Sequence, residues 1–94
     1  MRKTTYFRLV REITAYLRSM GGTYYRTYSD KLTDQRQYRT KISHVRSECN
    51  ETLVEALRQR FGGRGVTISL QETGQAWYAY ASVIVRPNHP LRAV

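Results

Sequence analysis

Residues 36–46 read Arg-Gln-Tyr-Arg-Thr-Lys-Ile-Ser-His-Val-Arg, and the fold turns on whether they form a strand or the beginning of a long helix. Alternation sets Tyr38, Thr40 and Ile42 on one side and Arg39, Lys41 and Ser43 on the other, as on a half-exposed strand. The stretch also fits a helix, because Tyr38, Ile42, Val45, Cys49, Leu53 and Leu57 follow one another at steps of three and four. Propensity tips the balance. Tyr, Thr, Ile, Ser, His and Val are indifferent helix formers, so the segment is read as a strand.

Moving outward, a helix is expected from about Ser47, with Glu48 and Glu51 in its first turn. Leu53, Val54, Leu57 and Phe61 make its apolar side, and Gly62-Gly63 ends it. Beyond it Val66, Ile68 and Leu70 alternate with Thr67, Ser69 and Gln71. Trp77, Ala79, Ala81, Val83 and Val85 then alternate with Tyr78, Tyr80, Ser82 and Ile84. Taking Thr73-Gly74 as the turn predicts a hairpin with Leu70 opposite Trp77, Ile68 opposite Ala79 and Val66 opposite Ala81, with Trp77 as its largest core anchor. Pro87 and Pro90 cannot donate to a ladder, so residues 87–94 are expected to form a flexible C-terminal tail after a single domain at 1–86.

Upstream, Tyr6, Leu9, Val10, Ile13, Tyr16, Leu17 and Met20 form one helical stripe, with Thr5 as a cap and Gly21-Gly22 as terminator. Its outer side carries Arg8, Arg11, Glu12 and Arg18. The β-forming run from Thr23 to Tyr28 follows, then a polar connection from Ser29 to Gln35. The order αββαββ predicts a small α+β domain: an antiparallel four-stranded sheet with two helices packed on one face.

The 94 residues carry a formal charge of +9, and eight of those net charges fall within residues 1–47. A concentrated positive field attracts polyanions, and each phosphate neutralised releases a counterion, so nucleic acid, DNA or RNA, is the expected partner. Tyr24, Arg26 and Tyr28 share one face of the first strand, Arg39 and Lys41 one face of the second, and Arg36 and Arg46 bracket that second strand. Tyr78 and Tyr80 form a similar pair on the outer face of the last strand, with Arg86 further along. Rings that stack on bases beside guanidinium groups that hold phosphates suit single-stranded nucleic acid. Exposed Tyr and Arg also anchor protein interfaces. The alternative is therefore a protein-interaction module, such as a phage or mobile-element inhibitor docking on an acidic surface of a nucleic-acid-processing machine.

Other functions find little in the sequence. Paired carboxylates, a Ser-His-Asp set and a cofactor fingerprint are missing, so neither catalysis nor a cofactor is expected. His44, His89 and Cys49 match no zinc spacing, and no metal site is expected. Gly62-Gly63-Arg64-Gly65 follows a helix instead of preceding one, which suits a helix end better than a phosphate loop. The lone Cys49 reads as a buried thiol in a reducing compartment. With no apolar run long enough for a bilayer and no signal core, the chain is expected to be soluble and cytoplasmic, with no membrane partner.

Overall fold

The computed structural model describes residues 1–28, 39–75 and 78–92; at 73–75 and 78–80 it describes the backbone. In chain order the elements are α1 (Lys3–Ser19), β1 (Tyr24–Tyr28), β2 (Thr40–His44), α2 (Glu51–Phe61), β3 (Val66–Gln75) and β4 (Tyr78–Pro87). All neighbouring strands are antiparallel and their spatial order is β1-β2-β4-β3. The α+β architecture, the element order αββαββ and the strand reading of Thr40–His44 are those expected from the sequence. The polar connection expected at Ser29 to Gln35 lies outside the described residues.

The long-helix alternative for residues 38–57 fails at two places. The His44 Nδ1 accepts the backbone N–H groups of Arg46 and Ser47 at 2.9 and 3.0 Å, which turns the chain out of β2. Asn50 then takes extended backbone angles and its side chain accepts the Leu53 N–H at 2.8 Å. An N-cap fixes a helix start, so α2 begins at Glu51 and not at Ser47, and Glu48 lies outside its first turn. Glycine ends it as expected: the Gly62 N–H reaches the Arg58 carbonyl and Gly63 sits at φ +82°, in the left-handed region.

Helix α1 also starts away from its expected cap. Thr5 lies inside the helix; Arg2 is the N-cap residue and makes no side-chain cap hydrogen bond. In place of a side chain, the Arg92 carbonyl accepts the Lys3 N–H at 2.9 Å, and Arg92 forms a parallel bridge with Arg2. The segment after Pro87 is therefore no free tail as far as Arg92. Leu91 is buried in the core, and its burial holds the chain end against the start of α1.

Both helices cover one face of the sheet. Leu9, Val10, Ile13 and Leu17 of α1 and Val54, Leu57 and Phe61 of α2 close over Ile42, Val66, Ile68, Val83 and Val85. The β3–β4 register differs from the expected one: Leu70 faces Val83, Ile68 faces Val85 and Val66 faces Pro87, with both strands running on to Gln75 and Tyr78. A turn at Thr73-Gly74 would pair seven residues and leave Val83 and Val85 beyond the end of β3, whereas the observed ladder pairs ten and sets both valines under the helices. The displacement keeps every residue on its predicted face, because it slides the register by an even number of residues. Trp77, the expected anchor, lies outside the described residues.

Candidate functional site

Two faces of the sheet divide the expected site residues. The register pairs Tyr24 with His44, Arg26 with Ile42 and Tyr28 with Thr40, and opposed residues share a face. Ile42 and Thr40 are buried beneath the helices, so Tyr24, Arg26 and Tyr28 belong to the helix side. Both tyrosines are used in packing there. Tyr24 meets the His44 ring edge-on at 4.9 Å, Tyr28 meets Phe7 at 5.4 Å, and Arg26 is half-buried beside them. Burial pushes the Tyr24 hydroxyl pKa up, and the neighbouring Cys49 adds to the rise.

The helix-free face is built from the alternate residues. Lys41 pairs with Ile84, which pairs in turn with Ser69; Gln71 pairs with Ser82, and Thr67 with Arg86. Tyr25 and Thr27 extend this face along β1, where Tyr25 is 43% exposed. Ser43 and Ser82 meet at its centre through a 2.7 Å hydroxyl–hydroxyl hydrogen bond, and both are fully buried. Arg39, one residue before β2, donates to the Gln71 Oε1 at 3.4 Å. Since β4 lies between β2 and β3, this bond carries the guanidinium over β4, the strand on which Ile84 of the same face is 2% exposed.

Cations therefore gather at one end of this face. Arg39 and Arg86 each follow one step beyond the Thr40–Val85 pair, and Lys41 stands on the next row. Arg39 and Arg86 are exposed and Lys41 is half-buried. Arg46 is separate: it lies past the other end of β2, seven residues from Arg39 and up to about 23 Å away along a strand. Arg36 lies outside the described residues. Tyr78 and Tyr80 take register positions opposite Gln75 and Thr73, at the far end of β4 from Arg86.

Among the described residues, the paired carboxylates sit elsewhere. Glu12 on α1 bonds Arg64 at 2.9 Å, and Glu51 and Glu55 on α2 bond Arg58 at 2.8 and 3.3 Å. Glu72 pairs with Ala81 and so belongs to the helix side. Among the described residues the helix-free face carries no carboxylate. Arg58 and Arg64, which make the glycine loop basic in sequence, are thus neutralised, and Arg60 lies 4.5 Å over the Tyr16 ring.

Sequence reasoning left Tyr25, Gln71 and Arg86 out of the site. Arg86 was legible by alternation, but the expected register placed it beyond the paired part of the hairpin. Among the described residues no three of His, Cys, Asp and Glu converge as metal ligands would, and no helix is long and apolar enough to cross a membrane. Comparison with protein-family models, with curated proteins and with solved structures found no match.

Proposed function

We propose that the protein is a small, non-catalytic nucleic-acid-binding protein that holds the phosphate backbone on the helix-free face of its sheet. The observation that carries this reading is the separation of charge. Arg39 and Arg86 stand on that face with no carboxylate beside them among the described residues, and Lys41 occupies the next row, while Glu12, Glu51 and Glu55 are paired on the helix layer. Guanidinium forks suit phosphate oxygens, and the exposed Thr27 and Thr67 hydroxyls and the Gln71 amide suit phosphate and sugar oxygens. Tyr25 adds a 43% exposed aromatic side chain to the same face. A single buried thiol, Cys49, fits a cytoplasmic setting.

The test is binding to short single-stranded and duplex oligonucleotides across a salt series. Log affinity should fall with log salt by about 0.7 to 0.9 for each phosphate contacted, and Arg39→Ala and Arg86→Ala should each flatten that slope by about one contact. Arg64→Gln, at a side chain already paired with Glu12, should leave the slope unchanged. Absence of binding at low salt overturns the reading. Should the partner instead be an acidic protein surface, salt would act on the association rate and Arg39 would couple to one particular carboxylate in a double-mutant cycle.

A further inference from the structure

We infer that the outer surface of α1 is a second polyanion-binding face, so that the protein bridges two nucleic-acid segments held on opposite sides of the fold. The inference rests on the reading above for the sheet face and adds a separate set of residues.

The buried stripe of α1 runs through Tyr6, Leu9, Val10, Ile13, Thr14 and Leu17. At 3.6 residues per turn, Arg8 and Ala15 point directly away from the centre of that stripe, with Arg11 beside them. Arg18 flanks this row two turns beyond Arg11 and also donates to the Tyr24 carbonyl at 3.0 Å. All four positions are exposed. The one acid on the helix, Glu12, is bonded to Arg64 from the loop after α2, and the first turn holds no acid, so nothing on α1 itself offsets these arginines. The row from Arg8 to Arg18 covers about 15 Å of helix. Measured along a duplex axis, that length spans roughly four phosphate steps of one strand, and the small side chain of Ala15 lets a backbone come close.

Helix α2 carries no such row, because its outward Glu51 and Glu55 hold Arg58 between them. The cationic surface is thus specific to α1 and is not a general property of the helix layer. Between Arg8 and the Arg39–Arg86 cluster lie the helix layer, the core and the sheet. One straight strand or duplex cannot touch both faces at once, so two occupied faces mean two bound segments.

The experiment mixes two short duplexes, one labelled with a fluorescent donor and one with an acceptor, with less protein than duplex. Wild type should produce energy transfer. Arg8→Gln/Arg11→Gln should abolish transfer while preserving binding to a single oligonucleotide, and Arg39→Gln/Arg86→Gln should weaken both. These side chains are exposed, and unchanged circular dichroism would confirm that each variant folds. Failure of wild type to bind any oligonucleotide defeats the sheet-face reading itself. Binding without transfer defeats the bridging alone. Transfer that survives Arg8→Gln/Arg11→Gln, or that is matched by self-association of the protein in sedimentation without nucleic acid, overturns the assignment to α1.

Discussion

The Tyr6 hydroxyl sits where three elements meet. It donates to the Val85 carbonyl at 2.8 Å, and having only one proton it accepts from the Thr40 hydroxyl at 2.7 Å, so α1 is pinned at once to β2 and β4. Tyr6, Thr40 and Val85 are all fully buried, and no water is available to replace a lost partner. Tyr6→Phe should therefore cost about 1 to 3 kcal/mol in denaturant unfolding, and Thr40→Val should recover part of that loss in the double variant. Cys49 shows a different residue-scale effect. Burial pushes its thiol pKa up, while the backbone at His44 and Val83 only partly offsets the rise. A raised folded-state pKa means that the stabilising contribution is complete below the ordinary thiol range and is lost as pH climbs through it. Stability should fall as pH rises above about 8.5, with Tyr24 adding to the decline only above about pH 10. Cys49→Ala should start lower at neutral pH but lose less over the same interval; an equally steep decline would remove Cys49 from this role. In the sequence His44 stands out only as one of three residues, with His89 and Cys49, that match no zinc spacing. Its work in the fold is to turn the chain, which only the hydrogen bonds to Arg46 and Ser47 disclose.

At the scale of elements, β3 presents a problem that the chain meets with one arginine. The Gly65 carbonyl accepts from the Asn88 N–H, so odd-numbered residues of β3 face β4 and even-numbered ones turn their backbone groups outward. Ten residues long and at the end of the sheet, such an edge is a template for pairing with another chain. The outward carbonyl of Ile68 accepts from the Arg58 Nε at 2.9 Å, and Glu51 and Glu55 hold the same guanidinium in place. Arg58→Ala should expose this edge and give concentration-dependent self-association in sedimentation, with little change in unfolding midpoint because exposed ion pairs contribute little. A variant that stays monomeric at all concentrations would show that Arg58 does not guard the edge. The arginine was legible in sequence only as a basic residue near a helix end. Its bond to a strand ten residues later requires α2 to fold back on β3.

For the whole molecule, the apolar periods carried the architecture. The steps of three and four in residues 6–17, the alternation in 66–71 and 81–85, and the glycine pairs after each helix determined two helices, a sheet and the face each side chain occupies, because backbone geometry alone imposes those periods. They could not determine the hairpin register. A slide by an even number of residues preserves every face, and the choice was made by the longer ladder and by the seats that the helices provide for Val83 and Val85. Charge divides in the same way. The sum of +9 and its weight toward residues 1–47 belong to the sequence, whereas its direction in space does not. Tyr24, Arg26 and Tyr28 follow the alternation expected of them, yet they face the helices, because β1 presents that side once it pairs with β2. Arg39 and Arg86 are 47 residues apart in the chain and neighbours in the sheet, because β4 inserts between β2 and β3. Local periodicity is a property of consecutive residues and can be read from them; which strands adjoin, and therefore which cations share a face, is settled only when the long-range hydrogen bonds and the core form together.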